Sequence, residues 1–349
     1  MKARITGVAT YLPERTLTSA DVEHRIEGYV PHRGIVERMT GIRRRHVARD
    51  DQQASDLAVE AVRRLGPSGP GGTGGTGGSR ADGPGGSDGS RAGGPGYADA
   101  DLMIFASASQ DMVEPATAHI VAAKLGLSCP VFDVKNACNS VLNGIQVAEA
   151  LILSGAHRTV LVCSGETPSR AIRWQVRDRA QFVDAFAGYT LSDSGAAVLV
   201  TADDERGIFY RDFSADSTAW AIGTLPGGGS VHPRDPEYSY FRGDGRRLKE
   251  AFERIGPDIF LNALKRTGLT WDDFAVVAVH QVALPYLDFL ARTLDIPQDK
   301  LVISLPEHGN CASATLPLQL SLGRWEAGDR VALLGLGGGI SMGVMLAEM

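Results

Sequence analysis

Apolar residues along this chain fall into short unbroken runs, and between those runs they recur at helical spacing. Residues 3–13 read as a strand ending in Leu12-Pro13, and Thr18-Ser-Ala-Asp-Val opens a short helix with threonine as its cap. Gln52–Leu65 is an amphipathic helix. Asp101–Gln110 reads as a strand running into a polar loop; a helix ending at Leu125-Gly-Leu127 follows, then a strand at Val131–Val134. Val141, Leu142, Ile145, Ala148, Leu151 and Ile152 then recur at three- and four-residue steps, one buried face of a helix. Gly155 and a strand at Val160–Cys163 close the series. The same order returns later: strand and polar loop over Asp273–Gln281, a helix ending at Leu294-Asp-Ile296, strand Leu301–Ser304, a joint, a helix, Gly328 and strand Val331–Leu334. Counted back from Gly155 and Gly328, Cys138 and Cys311 fall in register. The chain therefore reads as two copies of one α/β unit, a repeat that decides the architecture before any motif does. Its near-continuous apolar strands imply mainly parallel sheets covered on both faces. The halves are placed at 1–205 and 206–349.

Composition changes this picture in one place. Gly66–Gly96 is almost wholly Gly, Ser, Pro, Thr, Asp and Arg, with too few apolar residues to offset ordering entropy, and reads as a disordered insertion. Elsewhere 43% hydrophobic and 22% charged residues are ordinary for a globular chain, and 349 residues suffice for a large core. A net charge of −6 removes any global footprint for nucleic acid. No run approaches the ~18 apolar residues of a membrane span, and the start shows no apolar leader, so a cytoplasmic protein without membrane contact is expected. Four cysteines without tight pairing or C-x-x-C spacing argue against a disulfide framework or a zinc site.

Chemistry concentrates at the joints. Cys138 sits between a strand and the first turn of a helix, where unpaired N–H groups and the helix dipole favour a thiolate. Duplication gathers strand ends and helix starts at one seam, so Cys138 can meet His280, at a strand end, and Asn310, at the joint in the second copy. A cysteine, a histidine and an asparagine together make a thiol-acylation site, and Gly335–Ile340 offers bare backbone N–H groups to an oxyanion. That glycine run is no dinucleotide fingerprint, because only nine residues follow Ile340. Met39–His46 holds a dense basic cluster, either a solvated face or a mouth for a phosphate-bearing substrate.

These residues carry a resemblance. Phe132-Asp-Val-Lys-Asn-Ala-Cys138, His280-Gln281, His308-Gly-Asn310 and Gly337-Gly-Gly339 together resemble the motifs of the β-ketoacyl-ACP synthase III family, with the asparagine 30 residues after the histidine. The resemblance implies a thiolase-like fold: α/β, two duplicated halves packed as a five-layer αβαβα sandwich. It implies that Cys138 takes an acyl group from a thioester and that a malonyl-type thioester on an acyl carrier protein then loses CO2. His280 and Asn310 would hold the enolate, and the backbone N–H groups of Cys138 and Gly338 would form the oxyanion hole. It implies a homodimer and no metal or redox cofactor. Arg38 and Arg43–Arg45 correspond to the pantetheine-arm entrance, and Arg177 lies in a basic stretch, Arg170–Arg179, that suits an acidic carrier protein. Gly34 stands where priming members carry a tryptophan, which favours a carrier-protein donor; Ala283 stands where an asparagine closes the histidine motif and would position the site; together the two departures favour a specialised pathway over fatty-acid initiation. Glu114 stands where an aromatic shapes the acyl tunnel, and reads either as a sign of a polar acyl group or as a repacked entrance, the second being preferred. Two alternatives stay open: acyl transfer to a hydroxyl, amine or thiol without decarboxylation, and a non-catalytic partner subunit.

Overall fold

The computed structural model describes residues 1–66 and 95–349; residues 67–94 of the predicted insertion lie outside them. The first sheet runs, in spatial order, Lys2–Tyr11, Ser194–Asp203, Thr159–Glu166, Leu102–Ala106, Val131–Val134. Its pairings are antiparallel, antiparallel, parallel and parallel. The second runs Ile208–Ala215, Ser341–Glu348, Arg330–Gly337, Val276–Val279, paired antiparallel, antiparallel and parallel. Beyond it, where a fifth strand would lie, a single parallel bridge joins Val277 to Leu301. The two sheets repeat one topology, as the duplicated pattern requires.

Two expectations are corrected. The sheets are mixed rather than mainly parallel. In the second sheet the chain reverses through Gly338–Ile340, too short a link for a parallel crossover, so Ser341–Glu348 returns beside Arg330–Gly337 as a hairpin. The strand expected over Leu301–Ser304 shrinks to its one bridge. The Gln281 side chain replaces the missing ladder: its Oε1 accepts from the Ser304 and Leu305 N–H groups at 3.1 and 3.0 Å, and its Nε2 donates to the Val302 carbonyl at 2.7 Å.

Period two along each strand explains the layering. In the first sheet Ile104, Val160, Val162, Val198 and Val200 face inward. Met103, Phe105, Leu161, Cys163 and Leu199 face outward, onto helices Ala54–Arg64 and Thr117–Leu125. In the second, Val276, Ala278, Val331, Leu333 and Met345 face inward, while Val277, Val279, Ala332, Leu334 and Leu346 pack outward on Asp258–Thr267 and Leu284–Thr293. Helices Ser140–Leu153 and Thr315–Leu322 fill the central layer, contributing Val141, Leu142, Ile145, Ala148, Ile152, Leu316 and Leu320 to the same core. This is the αβαβα order. Both sheet faces are buried, which is why the strands read as unbroken apolar runs.

Candidate active site

The turn from Val134 into the central helix places Cys138. The Asn136 N–H donates to the Ser140 hydroxyl at 2.8 Å, and that hydroxyl donates to the Ala137 carbonyl at 2.7 Å. Ala137 adopts φ 46°, a left-handed conformation that costs a residue with a Cβ about 1–2 kcal/mol. Strain of this size immediately before a candidate nucleophile is held by the surroundings, and here the other half of the molecule holds it. Asn139 is fully buried and its Nδ2 donates to the Ser341 carbonyl and hydroxyl at 3.1 and 2.9 Å. A Cβ on Gly335 would stand 2.2 Å from Asn139 Oδ1, and one on Gly337 would stand 2.8 Å from the Ser341 hydroxyl. Bare backbone is what lets the end of Arg330–Gly337 reach the cysteine turn.

The thiol differs from the thiolate expected of it. Burial pushes Cys138 up to about 12, and the Glu166 carboxylate adds to the rise; hydrogen bonds from the backbone of Gly338 and of Cys138 itself pull the other way. A helix terminus contributes about 1 kcal/mol and is outweighed. At rest the group is S–H, and a base must take its proton. The two backbone groups around the sulfur are those of the residues expected to form the oxyanion hole.

His280 follows the strand Val276–Val279, and its N–H donates to the Leu334 carbonyl at 2.9 Å, one residue before Gly335. It is 3% exposed, and neither ring nitrogen has a hydrogen-bond partner among the described residues. Burial alone pushes it down to about 4. The ring is therefore neutral, with one nitrogen to donate and one to accept.

Asn310 belongs to the second half but is seated in the first. Its N–H donates to the Thr190 carbonyl and its carbonyl accepts from the Ser192 N–H, both at 2.9 Å. Its Oδ1 accepts from the Ala312 N–H at 3.0 Å, while Nδ2 has one long contact, 3.5 Å to the Thr190 hydroxyl. Three residues on, Ser313 donates to Glu166 through its hydroxyl. Glu166 is fully buried, ends the strand Thr159–Glu166, and accepts from the Ala108 and Ser109 N–H groups at 2.9 and 3.2 Å. Burial raises its carboxyl, and the Ser313 bond leads the opposing contributions. It acts on the thiols of both Cys138 and Cys311, so it links the cysteine turn to the asparagine loop. Sequence reasoning missed Glu166. The one available sign was an acidic residue closing an apolar strand.

The basic cluster is largely spent on structure. Arg43 and Arg44 share the Glu307 carboxylate. Arg45 points inward, fully buried, donates to the Ser19 hydroxyl at 3.0 Å, and is lowered to about 10 by burial. Arg43 precedes the strand Arg44–His46, within which Arg44 points out and Arg45 points in, so the sequence cluster is no single face. Arg38 is exposed and has no carboxylate partner among the described residues. In the stretch 170–179, Arg170 donates to Gln53 Oε1 at 2.7 Å and Arg173 is buried against Glu237 at 2.7 Å; Arg177 is exposed, as is Glu114. Gly34 has a backbone reason to be glycine: φ is 76° and its N–H donates to Glu23 Oε2 at 2.6 Å. Among the described residues no cluster of three His, Cys, Asp or Glu could hold a metal ion, and no helix is long and apolar enough to cross a membrane.

Comparison with known proteins bears on this arrangement. Residues 132–217 match the family model for 3-oxoacyl-[acyl-carrier-protein (ACP)] synthase III, and residues 264–349 match the model for its C-terminal part. The chain is 30% identical over 355 residues to a β-ketoacyl-[acyl-carrier-protein] synthase III of Desulfitobacterium hafniense (strain Y51), covering 99% of this chain and 97% of the relative. It is 29% identical to the enzyme of that name from Neisseria gonorrhoeae (strain NCCP11945), covering 99% of each. Its fold is similar to Xanthomonas campestris OleA solved with bound lauric acid and lauroyl-CoA, at TM-score 0.82 and 24% identity, covering 100% of this chain and 99% of that one.

Proposed function

Because the chain belongs to the β-ketoacyl-ACP synthase III family, an acyltransferase of the condensing type, we propose that Cys138, His280 and Asn310 carry its two half-reactions. In the first, the Cys138 sulfur attacks the carbonyl of an acyl thioester while His280 takes the thiol proton; the carrier thiolate leaves and recovers that proton. The acyl oxygen's transient charge is held by the N–H groups of Cys138 and Gly338. In the second, a malonyl thioester on an acyl carrier protein loses CO2, and the resulting enolate oxygen accepts hydrogen bonds from His280 and the Asn310 amide. The enolate carbon attacks the acyl-cysteine, a C–C bond forms and the C–S bond breaks.

One observation carries this reading: both nitrogens of the buried His280 ring lack a partner among the described residues. A buried polar group left unsatisfied costs about 1–3 kcal/mol, and a substrate oxygen would supply the missing bond. The ring's depressed basicity keeps it neutral, the form that can take one proton and donate another. No metal or redox group has a role in these steps. Arg38 and Arg177, exposed and in no ion pair among the described residues, suit the phosphate of a pantetheine arm or an acidic carrier surface. We propose a dimer contact along the outer edge of Val131–Val134, the last strand of its sheet among the described residues, where Phe132 is 37% exposed. The acceptor reading is tested by intact-mass measurement of the protein with acyl-CoA and acyl-carrier donors, followed by malonyl carrier protein. An adduct on Cys138 and CO2 release are expected; an adduct without CO2 leaves simple acyl transfer, and no adduct from any donor removes the catalytic role.

A further inference from the structure

The loop that delivers Asn310 is gripped by a strand the reaction does not use. Arg44–His46 runs beside it, beginning where the Arg43 N–H donates to the Pro306 carbonyl at 2.8 Å. One residue after Glu307, His308 meets His46, with His308 Nδ1 lying 3.0 Å from His46 Nε2. His46 Nδ1 lies 2.7 Å from the Pro13 carbonyl oxygen. A carbonyl only accepts, so His46 Nδ1 carries the hydrogen and His46 Nε2 keeps its lone pair. His308 Nδ1 must then be the donor. The ring planes lie 19° from parallel and the centroids are 5.3 Å apart, the separation that an end-to-end N–H···N bond between two imidazoles produces. Burial holds both rings below the ordinary histidine range, His308 at about 4, and Arg44 adds to each. Both stay neutral at neutral pH, and the bond keeps its direction.

The same strand holds Asn310 from the other side. The His46 N–H donates to the Ser192 hydroxyl at 2.9 Å, the Asp193 N–H donates to the His46 carbonyl at 2.9 Å, and the Ser192 N–H donates to the Asn310 carbonyl. Gly309, between the two grips, has φ +66°, and a Cβ there would stand 3.0 Å from the Cβ atoms of both Arg45 and Ser192. The loop thus passes through a slot only glycine fits, anchored one residue before by an imidazole pair and one residue after by backbone.

We propose that the His46–His308 pair is a positioning device for Asn310, setting the rotation of the loop so that the free amide N–H faces the substrate oxygen. Neither imidazole touches the reacting atoms. The inference rests on reading Asn310 as the enolate donor.

His308→Leu removes the donor at similar volume, and His308→Asn returns an amide N–H to the place of Nδ1–H. Each is measured for acyl loading of Cys138 and for CO2 release from malonyl carrier protein. His308→Leu is expected to load within about twofold of the unaltered protein and to release CO2 about tenfold more slowly, the size of a small misplacement of a reacting group. His308→Asn should recover most of the rate, and His46→Leu combined with His308→Leu should be no slower than either alone. Equal loss in both half-reactions, or no recovery with His308→Asn, overturns the proposal. Asn310→Ala is run alongside. If CO2 release survives in it, the enolate role of Asn310 falls and the positioning role with it. If Asn310→Ala stops release while His308→Leu does not slow it, positioning alone falls.

Discussion

The turns at Cys138 and Cys311 are sister elements of a duplicated fold with opposite fates. Each lies between the outer edge of its sheet and a central helix, and each contains an alanine held in the left-handed region, Ala137 at φ 46° and Ala312 at φ 48°. Each thiol is pushed up to about 12 by burial, with Glu166 adding to both. Yet Cys138 is half-buried, beside the glycine end of a strand from the other half, whereas Cys311 is fully buried. Cys311 donates to the His308 carbonyl at 3.5 Å, and its own carbonyl accepts from the Ser194 hydroxyl at 3.3 Å. The preceding strand is intact before Cys138 and reduced to one bridge before Cys311. The slack released by that loss forms the loop that carries Asn310 across to the first half. One copy keeps its geometry and offers a sulfur; the other breaks its strand and offers an amide.

The sharpest way to break this comparison is to exchange the cysteines' fates. Cys138→Ala should abolish the acyl adduct, whereas Cys311→Ala should load within about twofold and lose about 1 kcal/mol of stability, since it removes a small buried group. Intact mass and thermal denaturation read both, and an adduct surviving Cys138→Ala would end the asymmetry. Next in size, Asn310→Ala and His280→Ala should each slow CO2 release by about 10²–10³-fold, as loss of a transition-state donor does, with Asn310→Ala sparing loading. Equal slowing of loading by Asn310→Ala would show the second turn to be more than a donor's mount.

Gly335→Ala probes what seats the Cys138 turn. Its Cβ would fall 2.2 Å from Asn139 Oδ1, so the turn must shift. A loss of about 1–3 kcal/mol is expected from overpacking, together with slower loading. Unchanged stability and loading would mean the turn seats itself.

The smallest expected effect concerns charge. With the Cys138 thiol near 12, the thiolate fraction falls as pH drops, so alkylation by iodoacetamide should rise about tenfold per pH unit from 7 to 9 without a plateau. Glu166→Gln removes the nearby negative charge, lowers the thiol's value and should speed alkylation at fixed pH by about threefold. A plateau near pH 7 would identify a resting thiolate and refute the burial argument.

Much of this was legible in the residues. Alternating inward and outward apolar positions such as Ile104 and Phe105, or Leu333 and Leu334, mark strands buried on both faces, and their repetition marks two halves. Illegible were the destinations of charge. Arg43, Arg44 and Arg45 look alike in sequence, but two meet Glu307 and the third is buried on Ser19. Glu166 showed only as an acidic residue closing an apolar strand and His46 gave no local sign of its role, because their partners stand 147 and 262 positions away.

By itself, then, the sequence determined the elements, their doubling and the chemical types at the joints, because burial pattern and turn chemistry act between near neighbours along the chain. The tertiary structure alone decided that Cys138 rests as a thiol, that Gln281 stands in for a strand ladder, and that Asn310 is seated by the opposite half. Those outcomes depend on desolvation and on hydrogen bonds between remote segments, and neither exists until the two halves are packed together.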